Sequence, residues 1–410
     1  MSGEVIGEMM QGRAKDIVKA LQAEYYAGAM QAKKEGKPVA WVTSVAPREF
    51  LEAMDIVTIY PENHAAAIGA KKVSMEQMAV AESLGYSMDI CSYARVNLGY
   101  VEAEKPAPIE VPYPDFVVCC NNICNTVTKW YEALAHRLNI PIIMFDLPFS
   151  HDDEPSEHAL DFIVGEFKEA IKQLEQICGR KFDHDRFQEV MNISNQTSAL
   201  WQECQQMGKA IPSPIDGLDM FNYMALAVCM RGSEKAMEFF ALLRDELAEK
   251  KSRGESAIGG EKYRILWDGI AIWFNLRNLA TCLRSYQACM VASTYPDIWV
   301  LEYDDLRSMA HAYTSVFLNR NLNYRVNNMA RMVKEFSIDG VIIHSPRSCK
   351  PMDFVHYALS GELRKITGVP VIVVDGDQTD PRNFSEAQFQ TRVQALFEMI
   401  EGRKSKATIT

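Results

Sequence analysis

Through the first 150 residues, short apolar runs alternate with longer stretches that carry charge at helical intervals. The runs are Val39-Ala40-Trp41-Val42, Ile56 to Tyr60, Phe116-Val117-Val118-Cys119-Cys120 and Ile140 to Asp146. Each is too short for a helix and too uniformly apolar for a strand with one wet face. They read as strands buried on both sides, and the helical stretches between them predict a parallel sheet covered by helices. Residues 7–37 place alanines and charges at helical spacing and stop at Gly36-Lys37-Pro38, and a further helix is predicted from Asn125 to Leu138.

The texture changes near residue 155. Asp161–Gln176, Asp185–Gln205 and Ser233–Arg253 are long, charged and helical in period, interrupted by Ile211-Pro212-Ser213-Pro214 and by no strand candidate. After Gly254, Gly259 and Gly260 the first layout returns in the same order. Arg264-Ile265-Leu266 leads to Gly269-Ile270-Ala271-Ile272-Trp273. Met290 to Thr294 ends in Tyr295-Pro296, as Ile56 to Tyr60 ends in Tyr60-Pro61. Asp339 to Ile343 runs toward Cys349 as strand 116–120 runs toward Cys124, and Gly368 to Val374 ends at Asp375 as the earlier run ends at Asp146. Landmarks repeated in order point to an internal duplication. The expected fold class is α/β: two similar parallel-sheet α/β lobes joined by a helical segment. The expected boundaries are an N-terminal lobe with a leading helix over 1–154, a helical connector over 155–255 and a C-terminal lobe over 256–410.

Composition narrows the function. At 48% hydrophobic and 24% charged residues the 410-residue chain has enough apolar material for more than one core, which excludes disorder. A net charge of −11, with no basic run interleaved with aromatics, argues against a nucleic-acid surface. No apolar run reaches membrane-spanning length, and Met1 to Glu24 is too charged for a signal peptide, so a soluble, cytoplasmic protein without membrane attachment is expected. Ten cysteines in such a compartment imply burial or metal binding rather than a disulfide framework. Cys178, Cys204, Cys229, Cys282 and Cys289 lie in helix-like or apolar stretches and are expected in the core.

The remaining cysteines are placed differently. Cys124 and Cys349 follow matching strands, where parallel sheets present ligands, and Cys91 closes a helix-rich stretch. Three such thiolates suit an iron–sulfur cluster with one iron left open. In the run Cys119-Cys120-Asn121-Asn122-Ile123-Cys124, buried cysteines beside a turn account for the pattern as well as a metal does, since the spacing is neither that of a zinc ribbon nor that of a ferredoxin. Cys119 and Cys120 still belong to the strand, whereas Cys124 falls at a helix N-terminus, which favours a thiolate.

Four motifs carry a resemblance: Asp89-Ile90-Cys91-Ser92-Tyr93-Ala94-Arg95-Val96-Asn97, the Cys119–Asn125 run with Lys129-Trp130-Tyr131-Glu132, Arg347-Ser348-Cys349-Lys350, and Asp375-Gly376-Asp377-Gln378-Thr379-Asp380-Pro381-Arg382. Together they resemble the (R)-2-hydroxyacyl-CoA dehydratase family, related to benzoyl-CoA reductase, and within it the α subunit. The likeness runs from Trp41-Val42-Thr43-Ser44 and Tyr60-Pro61-Glu62-Asn63 to the C-terminal helix. It implies one 4Fe-4S cluster ligated by Cys91, Cys124 and Cys349, a heterodimer with a homologous β subunit, and a separate ATP-dependent iron–sulfur activator protein that supplies one electron. The implied reaction takes a 2-hydroxyacyl-CoA to a ketyl radical anion that expels its hydroxyl, loses a β-proton and returns the electron, giving a 2-enoyl-CoA. An open iron also implies oxygen sensitivity and an anaerobic setting.

Ser44 and Glu62 match family positions close to the substrate, where they would serve as oxyanion donor and proton relay. Read without the family, Ser44 is a helix cap near Pro47 and Glu62 a turn carboxylate after Pro61. His64 and His344 read as hydrogen-bonded structural residues; Asp377 and Asp380 suggest a metal site, but with Pro381 beside them a fixed turn is the favoured role. Where family members continue Pro-Cys-Trp-Pro after the Asp-Gly-Ile step, this chain has Ala271-Ile272-Trp273-Phe274, a departure that bears on the acyl pocket. Two other readings share the cluster: an electron-relay subunit, and a reductase that consumes its electrons.

Overall fold

The structure is a computed structural model that describes residues 13–104 and 107–409. The leading helix spans Ala14–Lys34, and residues 7–12 of the expected helix lie outside the described residues. The first sheet contains β1 (Val39–Val42), β2 (Val57–Ile59), β3 (Phe116–Cys120) and β4 (Ile142–Phe145) in the order β2-β1-β3-β4, all parallel. The second contains β5 (Tyr263–Asp268), β6 (Ala288–Ser293), β7 (Gly340–Pro346) and β8 (Val371–Gly376) in the order β6-β5-β7-β8, again all parallel. The two orders are the same permutation, so the repeat read from the landmarks is a repeat of topology. Every residue of β1, β3, β5, β6 and β7 is buried, which is why these strands read as continuous apolar runs rather than as an alternation.

Helix ends follow local chemistry. The predicted helix Asn125–Leu138 is closed by Asn139 in the left-handed conformation (φ 53°), a role asparagine tolerates better than most residues. Between the lobes lie the helices Glu157–Cys178, His184–Gln206, Gly217–Cys229 and Glu234–Ser252. Ser156, Asp183, Asp216 and Ser233 cap their N-termini by accepting backbone N–H bonds. Gly217–Cys229 carried no helical signal because it is buried nearly all round, so no polar face marks its period. It packs against both the leading helix and β6, and so belongs to the joint between the lobes.

The same joint buries a charge. Glu49 in the first lobe accepts bonds from Ser194 Oγ at 2.9 Å, on the helix His184–Gln206, and from Arg231 Nε at 3.0 Å, in the turn between the helices Gly217–Cys229 and Glu234–Ser252. It also accepts from Tyr303 Oη at 2.5 Å and Tyr313 Oη at 2.7 Å, both from the second lobe. Burial pushes the Glu49 carboxyl up, but the Arg231 guanidinium and the two phenols outweigh it and hold the group below its ordinary value. One carboxylate therefore ties three parts of the chain together. Replacing Arg231 by Met should cost about 3–5 kcal/mol, because it leaves the Glu49 charge buried without its cation. Urea unfolding checks this. A change under about 1 kcal/mol, the scale of an exposed pair, would show that the network does not hold the joint.

A candidate active site where three thiols meet

Ser44 follows β1, Glu62 follows β2, Cys124 follows β3 and Cys349 follows β7, each on a turn leaving the carboxyl end of its strand. In the order β2-β1-β3-β4 the connections diverge between β1 and β3, which is where open parallel sheets bind ligands. Cys91, expected to close a helical stretch, instead opens one. It is the N-cap of Ser92–Glu102, just as Cys124 is the N-cap of Asn125–Leu138 and Cys349 that of Lys350–Asp353. The three cysteines are free and partly buried.

They sit close enough together to act on one another electrostatically. Burial pushes the Cys91 thiol up to about 12 and raises Cys124 and Cys349, with the neighbouring thiols adding to the effect at Cys91 and Cys349. Backbone N–H groups oppose it: those of Ala94 and Tyr93 point at Cys91, those of Val127 and Thr126 at Cys124, and that of Met352 at Cys349. Sulfurs arranged this way are prepared for negative charge but need a cation to displace their protons. Among the described residues, no three Cys, His, Asp or Glu side chains close on a single metal ion. A polynuclear cluster, whose ligating sulfurs stand farther apart than those around one ion, fits this donor set, and N–H bonds to sulfur are a recognised part of such sites.

The other cysteines sort as follows. Cys119 and Cys120 end β3 in the core. Cys204, Cys229 and Cys289 are buried as expected, whereas Cys178 and Cys282 are partly exposed on the helices Glu157–Cys178 and Leu276–Ser285.

Glu62 lies in the first turn of the helix Pro61–Ala70, buried. Its Oε1 accepts the Ser44 backbone N–H at 3.1 Å and its Oε2 accepts Tyr131 Oη at 3.1 Å. No cation takes part, so burial dominates and pushes the carboxyl up to about 7 despite these donors. Neither the turn role for Glu62 nor the cap role for Ser44 describes what is found. Ser44 engages Glu62 through its N–H, and its carbonyl accepts Trp299 Nε1 of the second lobe at 3.2 Å. A carboxyl that titrates near neutrality beside a thiol cluster can hold or release a proton. His64 and His344 are structural: each bonds a backbone carbonyl, of Ile109 at 2.8 Å and of Ile270 at 2.6 Å, and burial lowers both to about 4.

Asp377, expected as a turn residue, and Gln378, which carried no reading, hold the thiols in place. Asp377 forms the expected turn, accepting the N–H groups of Thr379 and Asp380 at 3.1 Å each, but it also accepts Ser92 Oγ at 2.5 Å and the Ser348 N–H at 3.2 Å. Ser92 adjoins Cys91 and Ser348 adjoins Cys349, and the Ser92 N–H donates to Ser348 Oγ at 3.0 Å. Gln378 Nε2 donates to Cys91 Sγ at 3.4 Å and to Ser348 Oγ at 3.2 Å. The only signal in the sequence was their place between the aspartates of the Asp375–Arg382 motif. The divergent loop lies here too, since the Trp273 backbone N–H donates to Gln378 O at 3.2 Å and Trp273 Nε1 donates to Tyr93 Oη at 2.5 Å.

The fold and site define a two-lobed α/β protein with a thiol cluster set beside a neutral-pKa carboxyl. Residues 43–400 match the family described as 2-hydroxyglutaryl-CoA dehydratase, D-component, and the chain belongs to that family. It is therefore an enzyme chain of the hydro-lyase class. It is 44% identical over 399 residues to a protein of Clostridioides difficile named (R)-2-hydroxyisocaproyl-CoA dehydratase alpha subunit, covering 95% of this chain and 97% of that one. It is 42% identical to lactoyl-CoA dehydratase subunit alpha of Anaerotignum propionicum (96% and 98% covered). It is 39% identical to (R)-phenyllactyl-CoA dehydratase alpha subunit of Clostridium sporogenes (97% and 98% covered). No helix among the described residues is long and apolar enough to cross a membrane.

The raised Glu62 value makes stability depend on pH. Because the folded chain holds this proton more tightly than the unfolded chain, the stability contribution is complete below 4.5 and is lost as pH rises toward about 7. The gap amounts to roughly 3 kcal/mol. Glu62→Gln removes it, so the variant should gain on the wild type as pH rises from 4.5 to 8. Tyr131, Cys119, Cys124 and Tyr295 also face Glu62, and all remain in the variant. Melting curves across that range check the sign, and parallel curves would contradict the burial argument.

Proposed function

We propose that this chain is the α subunit of an (R)-2-hydroxyacyl-CoA dehydratase. It converts (R)-2-hydroxyacyl-CoA to (E)-2-enoyl-CoA and water through a substrate ketyl radical. It works in the cytoplasm of an anaerobic cell, with a homologous β subunit and an ATP-dependent iron–sulfur activator. The observation that carries this reading is the convergence of three thiols at helix N-cap positions with a buried carboxyl of pKa about 7, in a chain that aligns over 95% of its length with a dehydratase alpha subunit.

Cys91, Cys124 and Cys349 would hold a 4Fe-4S cluster, which supplies one-electron chemistry and, at the iron without a protein ligand, a Lewis-acid position. The remaining work falls to the chain. Glu62, near half-protonation at neutral pH, carries a proton between the substrate and the departing hydroxyl. Ser44 fixes the direction of Glu62 through its N–H, leaving its hydroxyl to donate to the thioester oxygen. Tyr131 holds the other carboxylate oxygen. Tyr131, bound to Glu62, and Tyr93, bound to Trp273 Nε1, make the surroundings of the carboxyl and of Cys91 aromatic. Such surroundings favour an uncharged acyl group, the kind named in the three relatives above.

Single Ser replacements, purified without oxygen, should lose iron and visible absorbance at Cys91, Cys124 and Cys349 and keep both at Cys119 and Cys120. Intact cluster absorbance in Cys124→Ser would sink the ligand set. The function itself is tested by assaying the chain with its β partner and activator against lactoyl-, 2-hydroxyisocaproyl-, phenyllactyl- and 2-hydroxyglutaryl-CoA. Enoyl product without stoichiometric electron consumption is expected, and a reductase would consume electrons in step with product. Glu62→Gln and Ser44→Ala should keep iron and assembly while turnover falls roughly 100-fold or more. Normal turnover with lowered melting temperature in both would return these residues to structural roles.

A further inference from the structure

Tyr295 is a chemically equipped residue of the site that the dehydratase reading leaves unused. It follows β6 as Tyr60 follows β2, at the turn Tyr295-Pro296. Its ring meets Trp299 edge-on at 5.4 Å, and the Trp299 indole N–H is the one bound to the Ser44 carbonyl. On the other side its hydroxyl pairs with that of Tyr93, two residues beyond Cys91. Tyr295 thus stands between the Ser44 turn and the Cys91 turn, and Glu62, Cys349 and Cys91 all lie within electrostatic reach of its hydroxyl.

The direction of the hydrogen bonds follows from what each group can do. An indole N–H only donates, so Trp273 Nε1 gives its proton to Tyr93 Oη at 2.5 Å. The Tyr93–Tyr295 bond favours the protonated form of Tyr93 and disfavours that of Tyr295, as it must when Tyr93 donates its proton to the Tyr295 oxygen. The Tyr295 proton is then the free end of the relay, and no acceptor for it is found among the described residues. We propose that Tyr295 donates this proton in a hydrogen bond to the thioester carbonyl oxygen of the bound substrate. In that arrangement Trp273 and Tyr93 are positioning residues that fix the direction of the donor. The carbonyl oxygen is the atom on which negative charge grows when an electron enters the thioester, and preorganised donors act most strongly where charge develops. Burial raises the Tyr295 phenol, so it remains protonated and acts as a donor, not a base. This inference rests on the dehydratase reading, and it adds a donor from the second lobe to Ser44 from the first.

The test uses the anaerobic holoenzyme with its partner subunit and a 2-hydroxyacyl-CoA labelled with ¹³C at the thioester carbon. Binding to the resting wild type should move the carbonyl stretch below its free value. In Tyr295→Phe the band should move back toward the free value and turnover should fall roughly 100-fold, with cluster absorbance unchanged. Trp273→Phe keeps the ring and loses the N–H. It should leave Tyr295 in place but poorly aimed, giving a broadened band and a turnover loss of about 10-fold. Wild-type turnover and an unmoved band in Tyr295→Phe overturn the proposal. Lowered turnover with an unmoved band also overturns it, because that is the mark of a misfit rather than a lost donor. The dehydratase reading fails separately, if the wild type turns over none of the four thioesters.

Discussion

The carboxylate of Asp377 is the constraint on which the site depends. It is buried without a contacting cation, and its acceptor positions are filled by Ser92 Oγ, the N–H groups of Ser348, Thr379 and Asp380, and Asn383 Nδ2 at 3.5 Å. A buried carboxyl satisfied only by neutral donors is tolerated while every donor stays in place. Two of those donors adjoin Cys91 and Cys349, which come from different lobes. Any shift of one lobe against the other that separated these thiols would first have to break bonds to Asp377. A second layer of charge backs the first, since Arg95 bridges Asp380 at 3.0 Å and Glu82 at 2.6 Å, and Arg382 reaches the same two carboxylates. Close packing adds to it: a side chain at Gly69 would place its Cβ 2.7 Å from Thr379 Cγ2 and push the helix bearing Glu62 off the second lobe.

The repeated topology shows how the site is divided. Cys124 and Cys349 occupy the same topological position, beyond the third strand of each sheet. The turn after the second strand has diverged. In the first lobe it reads Tyr60-Pro61-Glu62, with the tyrosine hydroxyl in the interior near Arg48 and Arg231 and the glutamate turned to the thiols. In the second it reads Tyr295-Pro296-Asp297, with the tyrosine at the thiols and the aspartate packed away from them, near Arg331 and Asn328. One turn supplies a carboxyl and its copy supplies a phenol, and the two meet across the seam.

What the sequence disclosed and what it withheld divide along a physical line. The strands and their succession along the chain were legible because buried parallel strands leave apolar runs between helices, and the cysteines after β3 and β7 could be located from those runs, whereas the order of strands within each sheet was not. The helix Asn125–Leu138 was readable to the residue, whereas the helix Gly217–Cys229 was invisible because burial on all sides erases amphipathic period. The placement of Cys91 was read from the wrong end, since a cysteine at an N-cap lacks the serine or aspartate signature that marks a helix start. Asp377 was read as a turn residue and Gln378 carried no reading because their decisive partners, Ser92 and Cys91, are more than 280 residues away. Contacts of that range leave no periodic trace.

The same desolvation that makes the site reactive would also defeat it if nothing opposed it. Removing water raises Glu62 to about 7 and so gives it a usable proton, but it equally raises the thiols, which must lose theirs to bind metal. The fold meets the two demands with different local geometry. Glu62 is given only two hydrogen bonds and no cation, so burial wins. Each thiol is set at the start of a helix, where backbone N–H groups oppose the effect of burial, those of Ala94 and Tyr93 at Cys91, those of Val127 and Thr126 at Cys124 and that of Met352 at Cys349. The fold can therefore set a carboxyl that titrates near 7 close to three thiols whose charge is favoured locally. The difference between them comes from where each residue sits on its own turn, not from how deeply it is buried.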